Sequence, residues 1–527
     1  MRNQLSVACF LTIMIAFAWH SGQAQSLEAL LQRAQMEQSN GQYAAAADSY
    51  AAATARNPSS AELWANRGVM EYLAARFDHS SNSLRRSLRI KPGLFTPLLF
   101  LGKLNLQQNK PDLAMPYLNR AHMERPHDIE VLLSIGEASE KLKESRQAAA
   151  VYAEASLLAA AEPRVWFSLG VASLSLIESD GRELATAQQS VWSNALYADE
   201  LFSQGRTVEA SERYRTAISI ASPTETASLS RTLEMVLQHP QLFPLSPNAR
   251  YAVQQLSADI ANHQDAHMEI GCGPAPGQVR TLVKEAACAY WDEHIEDSAD
   301  AAGKALQQSP HDPEALYWSI KANERRAVTA LARFELLAPQ SPATFDMVGD
   351  LYRHQDQADK ALGEYQKALL VDSHDSSALL GIAAANLAQA DPTKAAEFAK
   401  RGLADRPKDP LLNQLMAEAL IAQQQFSAAR PFLETCIAVT SEVPLAVHAM
   451  LGQVDAEEGK TEEAIQQFEI SLPNDRDGRL HYQISRLYRK VGRIKDAEMA
   501  EAGAKALAHQ GLVNASIAMR ESMGTSH

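Results

Sequence analysis

The chain is 527 residues long, 46% hydrophobic and 21% charged, with a formal net charge of −14. That length exceeds what one hydrophobic core organises, so several domains or a repeat array are expected, and the composition excludes wholesale disorder. Nucleic acid is disfavoured as a partner, because neutralising phosphates requires a concentrated basic surface. The charge is uneven: residues 26–162 carry 15 Lys/Arg and 15 Asp/Glu. The acidic excess therefore lies further along the chain, where it would steer basic partners.

In chain order, residues 1–24 read as a signal peptide. Arg2 supplies the positive charge, Leu5 to Trp19 form an apolar run, and Ser21-Gly22-Gln23-Ala24 place small residues where cleavage after Ala24 would occur. The run falls short of the ~20 residues of a membrane span. Cys9 lies inside it and not at its end, so a lipid anchor is not expected. No later segment is long and apolar enough to span, so the mature chain is expected to be periplasmic or secreted, without an integral membrane span. An oxidising compartment permits disulfides. Cys272, in the loop Gly271-Cys272-Gly273-Pro274, and Cys288, in the helix that follows, are a candidate pair. Cys436 reads as a small buried residue on a helix.

From Ser26 onward the chain is periodic. Pro58, Pro92 and Pro126 are spaced by 34 residues, as are Gly68, Gly102, Gly136 and Gly170. Tyr50, Leu84, Leu118 and Tyr152 form a third series and Ala53, Ser87, Ala121 and Ala155 a fourth. Units are expected to start near Leu27, Ala61, Phe95, Ile129, Val191, Val279, Pro342, Ser376, Pro410, Leu445 and Gly478. A degenerate unit is expected near Pro163, and a shortened one near Pro313 with its inter-helix loop cut to Glu324-Arg325-Arg326. The predicted organisation is a first array over 25–221, a helical junction over 222–278, a second array over 279–511 and a flexible tail over 512–527. In the junction, helices from Glu225 to Leu237 and from Asn248 to His267 flank His239-Pro240-Gln241-Leu242-Phe243-Pro244.

Trp166-Phe167-Ser168-Leu169-Gly170 and Val348-Gly349-Asp350-Leu351-Tyr352 followed by Ala361, Tyr365 and Ala368 carry a resemblance to the tetratricopeptide repeat family. So do Ala395, Ala399, Gly402 and Pro407, and Leu451-Gly452 with Ala464 and Phe468. The resemblance implies an all-α fold, a right-handed superhelical solenoid of antiparallel helix pairs. Gly or Ala at the eighth position of a first helix and Ala at the twentieth, on the second, let the two backbones approach, and the large residue at the twenty-fourth fills the space between one unit and the next. Asn40-Gly41, Gln204-Gly205, Glu458-Gly459 and Val491-Gly492 read as left-handed turns between helices.

Chemistry-bearing motifs are sparse. There is no phosphate-cradling glycine loop, His-Glu-x-x-His or Gly-x-Ser-x-Gly. His263 and His267, four apart with Cys272 nearby, are a weak metal candidate; the alternative is a pair of solvated residues at a helix end. No cofactor is expected, and the protein is not expected to be an enzyme. The resemblance implies binding of proteins or peptides on a concave surface lined by first helices. By register the candidates are Tyr72, Lys103, Leu106, Glu137 and Glu140, then Asp346, Asp350 and Arg353. Some members clamp a carboxylate with Lys, Asn and Arg at fixed positions; here those hold Leu31, Gln35, Asn66, Thr96 and Phe100, and only Asn66 agrees. The expected function is a non-catalytic interaction scaffold outside the cytoplasm. The alternatives are an assembly component of a surface-polymer or pilus export machine, and a metal-dependent enzyme using the junction.

Overall fold

The structure, a computed structural model, describes residues 26–187, 190–238, 247–263, 277–440 and 443–524. The expected signal peptide lies outside them. Among the described residues every regular element is helical. The described residues divide into two compact units, one within 26–202 and 207–333 and one within 203–206 and 334–524.

Unit 1 opens with four antiparallel hairpins: Leu27–Ser39 with Tyr43–Arg56, Ala61–Leu73 with Phe77–Ile90, Phe95–Gln107 with Pro111–Glu124, and Ile129–Lys141 with Ser145–Leu158. Several first helices are started by a side-chain cap, in which Ser26, Ser60 and Asp128 accept from the N–H groups of Ala29, Leu63 and Val131 at 3.1, 3.2 and 3.2 Å. Each first helix ends on a left-handed residue, Gly41, Ala75, Asn109 or Lys143, with φ from 54° to 70°. The next N–H then reaches back into the helix it has just left. Gln42, Arg76, Lys110 and Glu144 donate to the carbonyls of Glu37, Glu71, Asn105 and Ser139, each at 2.8 Å.

The glycines keep the expected register, but the large residue expected between one unit and the next packs first on the glycine of its own hairpin. A Cβ on Gly68 would lie 2.6 Å from Leu84, on Gly102 2.3 Å from Leu118, and on Gly136 2.2 Å from Tyr152. These distances are below van der Waals contact, so only glycine allows the two helices of a hairpin to close. The first two hairpins also share a buried polar group that the sequence reading passed over. Glu37 accepts from Arg33 at 2.8 Å and Ser49 at 2.6 Å, and Glu71 repeats this with Arg67 and Ser83 at the same distances.

Two expectations are corrected in the rest of unit 1. Near Pro163 and Pro313 the chain forms no hairpins; it forms continuous helices, Pro163–Thr186 and Pro313–Leu337. Glu324-Arg325-Arg326 is therefore helix interior, not a loop. Gly170 nevertheless has a large partner, Leu331, whose Cδ2 would stand 2.6 Å from an added Cβ. Leu169, Ala172 and Leu176 share a core with Ala330 and with Ala148, Ala149 and Tyr152 of the preceding hairpin. In sequence, Ala327, Leu331 and Pro339 stand to Pro342 as Ala114, Leu118 and Pro126 stand to Ile129. The two expected partial units are thus one repeat split in two. Its first helix is the start of Pro163–Thr186, its second is the end of Pro313–Leu337, and the chain between them is an insertion.

The second correction concerns the stretch 222–278. Its helices, Pro223–Gln238 and Pro247–His263, do not separate two arrays. They lie inside the insertion, between the hairpins Val191–Ser203 with Thr207–Ile220 and Gln278–Trp291 with Ile295–Gln308. One buried core joins all of these, from Leu184 through Trp192, Tyr214, Leu233, Val253 and Tyr290 to Trp318 and Ile320. The unit boundary falls at Arg333, within Pro313–Leu337. Leu242 and Phe243 lie outside the described residues.

Unit 2 is regular. Its hairpins are Pro342–His354 with Ala358–Val371, Ser376–Ala388 with Pro392–Asp405, Pro410–Ala422 with Phe426–Val439, Leu445–Glu457 with Thr461–Ser471, and Arg479–Lys490 with Ile494–Gly524. The segment expected as a tail from residue 512 is helical as far as Gly524. Tyr365 fills the space left by two glycines at once, 2.6 Å from a Cβ on Gly349 and 2.4 Å from one on Gly381.

Candidate functional site

In unit 1 the first helices of consecutive hairpins pack side by side, so residues at equal register positions form rows across them. Tyr72 is half-buried and meets Phe100 of the next first helix edge-on at 5.3 Å, with Phe77 at 6.0 Å. Lys103 pairs with Glu130 at 2.5 Å, and Glu130 with Arg164 at 2.6 Å, a charge row spanning three repeats. Glu137 is exposed and lies 3.7 Å from Lys141. Glu140 is half-buried, and burial raises its carboxyl above the ordinary range. Four of the five candidates in this unit therefore stay at least partly exposed.

Leu106 does not. It is 3% exposed and belongs to the core of Leu98, Leu118, Val131 and Ile135. It shares a register position with Tyr72 and Glu140. That position sits at the seam between first helices, where a polar tip stays near the surface and a leucine sinks into the core.

In unit 2 the structure brings Asp346, Asp350 and Arg353 together. The Tyr365 hydroxyl donates to Asp350 at 2.6 Å and Arg353 pairs with the same carboxylate at 3.1 Å. Asp346 is buried. Asp375, which sequence reasoning passed over, caps the next first helix by accepting from the N–H groups of Ser377 and Ala378 at 2.9 and 3.1 Å. Burial first, and then the Asp375 and Asp350 carboxylates, push the Asp346 carboxyl up to about 8.

The metal candidate cannot be placed. His263 ends Pro247–His263, but its side chain, and His267 and Cys272 altogether, lie outside the described residues. Cys288 is disulfide-bonded; Cys272, its expected partner, is among the residues not described. Cys436 is buried with a free thiol. Among the described residues no group of three or more His, Cys, Asp or Glu could hold a metal ion. No described helix is long and apolar enough to cross a membrane.

Two further polar groups in unit 1 were not foreseen. A cleft of about 900 Å³ is lined by residues of Ser145–Leu158 and Ile295–Gln308. Arg146, which lines it, pairs with Asp180 at 2.8 Å, and Ser319 donates to Asp180 at 2.6 Å. In the core of the insertion, Lys321 pairs with Asp199 at 3.2 Å and Glu324 at 3.1 Å, while the Tyr214 and Tyr317 hydroxyls also bond to Asp199. Both carboxylates hold Lys321 within the fold, and we read this group as structural.

Helix pairs of one register, closed by glycine against a large residue and stacked first helix beside first helix, define a helical-repeat protein. The tetratricopeptide repeat profile matches residues 31–94 and 347–410, one stretch in each unit. Both units therefore carry sequence of the tetratricopeptide repeat type. No curated protein matches it. Among solved structures, MamA is 21% identical over 31% of this chain and 96% of its own, with a TM-score of 0.28. YrrB, described as a protein of this repeat type with an unusual peptide-binding site, is 19% identical over 34% of this chain and 92% of its own, with a TM-score of 0.29. TTC0263, a protein of Thermus thermophilus, is 20% identical over 34% of this chain and 97% of its own, with a TM-score of 0.28.

Proposed function

We propose that the protein is a non-catalytic scaffold that binds protein or peptide partners on its first-helix faces, outside the cytoplasm. The observation that carries this is the packing of consecutive first helices into continuous faces that present polar and aromatic side chains, Tyr72, Phe100, Lys103 and Glu137 in unit 1 and Asp350 and Arg353 in unit 2. Amphipathic tips on a rigid helical surface suit an extended peptide or a helix, because little side-chain entropy is lost on binding. Two features support export: the signal-peptide pattern of residues 1–24 and the disulfide at Cys288.

The test is affinity capture from an envelope extract with the mature chain as bait, followed by crosslinking and mass spectrometry. Crosslinks should map to first helices, and Glu137→Lys or Asp350→Lys, both changes at exposed sites, should weaken capture. Crosslinks confined to second helices, or capture indifferent to both variants, would overturn the reading.

A further inference from the structure

The connection between the last two hairpins of unit 2 departs from the repeat. Connections 372–375 and 406–409 have four residues each, whereas 472–478, which includes the 3₁₀ turn Leu472–Asn474, has seven. The longer loop is pinned. The buried Asp475 carboxylate accepts from the N–H groups of Gly478 and His481 at 2.9 and 2.8 Å and is bonded to the His481 ring at 2.7 Å. Gly478 has a φ of 83°, and a Cβ there would lie 2.5 Å from the carbonyl oxygen of Ala504, so only glycine fits.

The loop so held walls a pocket of about 510 Å³ together with the first helices Leu445–Glu457 and Arg479–Lys490. Met450 and Leu480 give the pocket apolar surface, and Gln453, Asn474, Arg476 and Gln483 line it with polar groups. None of these four side chains has a hydrogen bond or ion pair among the described residues. Arg479 also lines the pocket and pairs at 2.9 Å with Asp477; both are exposed, and such a pair contributes little in water. The backbone N–H groups of Arg479 and His481 are already taken by Asp477 and Asp475, so the free donors are side chains. Arg486, three residues beyond Gln483, continues the same helix face. The charge here is opposite to its surroundings. Residues 472–490 carry five Lys/Arg and two Asp/Glu, while the rest of the chain from residue 334 carries 14 and 25. A rigid loop that departs from the repeat and aims an unpaired arginine into a pocket points to a ligand.

We propose that this pocket receives an aspartate or glutamate side chain from an acidic, extended segment of the partner. Arg476 is the principal ion-pair donor and Arg479 the second, released from Asp477 as the partner's carboxylate takes its place. The amides of Gln453, Asn474 and Gln483 bond the backbone of the segment, and Met450 and Leu480 cover its methylene groups. The proposal rests on the scaffold reading and names the chemistry of the segment bound. A carboxylate suits these donors because a guanidinium offers its N–H groups as a fork that two carboxylate oxygens match. A peptide fits better than an anionic lipid surface, because the donors converge in a concavity between helices that a flat surface does not enter.

The test uses the full mature chain with labelled hexa-glutamate and hexa-glutamine peptides, read by fluorescence anisotropy at pH 7. Arg476→Gln is compared with Lys400→Gln, which removes the same charge at an exposed site on the second helix Pro392–Asp405. Hexa-glutamate should bind the native chain, with affinity falling about tenfold in Arg476→Gln and less than about twofold in Lys400→Gln. Arg476→Lys, which restores the charge without the fork, should recover part of the affinity. Arg476→Gln should melt with the native chain, because Arg476 is exposed and holds nothing, so its loss reports on binding and not on folding. Free glutarate should compete only at far higher concentration than the peptide. No binding of hexa-glutamate, equal binding of hexa-glutamine, equal losses in the two charge variants, or glutarate competing as well as the peptide would each overturn the proposal. If captured partners still crosslink to first helices with undiminished yield in Arg476→Gln, the scaffold stands and only the carboxylate pocket falls.

Discussion

The hairpin around Gly102 and the split unit around Gly170 solve one packing problem with opposite connectivity. Gly102 receives Leu118 from the helix directly after it, across a turn made by Asn109. Gly170 receives Leu331 in the same way, but the intervening chain leaves, builds a core of its own from Leu184 to Ile320, and returns. The repeat is therefore a rule about which surfaces meet, and only secondarily about the order in which the chain supplies them. Physics permits this because loop-closure entropy grows slowly, by about 0.6 kcal/mol for each doubling of length. Here the excursion is itself folded, and its two ends are held together as the long helices Pro163–Thr186 and Pro313–Leu337.

The largest expected effect tests whether the two contacts are equivalent. Gly102→Trp and Gly170→Trp should each cost about 3 kcal/mol, the upper end of ordinary overpacking. The compensating changes should be specific. Leu118→Ala should recover part of the loss in Gly102→Trp, and Leu331→Ala part of the loss in Gly170→Trp, while the crossed pairs should simply add. Thermal melting of the double-mutant cycles checks this. Additivity between Gly170→Trp and Leu331→Ala would sink the split-unit reading.

A smaller effect tests what replaces the missing turn. Asp180 joins the outgoing helix to the returning one through Ser319, and to the preceding hairpin through Arg146. His311, exposed, reaches Glu183 at 2.6 Å beside it. Asp180→Ala leaves Ser319 without its acceptor and Arg146 with only the Ser319 hydroxyl, and should cost about 1–3 kcal/mol. Hydrogen exchange should quicken in residues 163–186 and 313–337 and stay unchanged in residues 95–124. Uniform quickening across both regions would mean that Asp180 is no local clasp.

Most of the regular architecture was legible because its causes are local. Glycine at the eighth position, a large residue at the twenty-fourth and a left-handed turn each leave a mark within one period, and Gly41, Gly205, Gly459 and Gly492 adopt the expected φ. The split unit was not legible as one unit, because its halves are joined by a contact between residues 170 and 331 that no local pattern encodes. Each half then read as a defective repeat. Ala327, Leu331 and Pro339 did carry the signal, in register with Pro342 and not with Pro313. The candidate faces were legible as helix faces, through Tyr72, Lys103, Glu137 and Asp350. Burial was not. Leu106 and Asp346 both sit deeper than register alone implies, and the Asp346 environment depends on Asp375, a cap residue from another repeat.

The smallest expected effect separates a turn glycine from a helix glycine by the sign of one substitution. Gly41 has a φ of 70° and open space around its missing Cβ, so its hydrogen bonds depend on a conformation that alanine adopts at a cost. Gly41→Ala should therefore destabilise by roughly 1 kcal/mol. Ala75 already bears that strain at the equivalent turn, with a φ of 57°, and Ala75→Gly should stabilise by roughly 0.5 kcal/mol, the gain being trimmed by the greater freedom of glycine in the unfolded chain. Gly181 also has open space at its Cβ, but it lies inside the continuous helix Pro163–Thr186. Gly181→Ala should stabilise by roughly 0.5–1 kcal/mol, because alanine is the better helix former and meets nothing. Were the chain to turn at Gly181 as in an ordinary hairpin, alanine would destabilise it as at Gly41. Melting temperatures that fall for Gly41→Ala and rise for Gly181→Ala locate the missing turn, and a fall for both would restore a hairpin to this part of the chain.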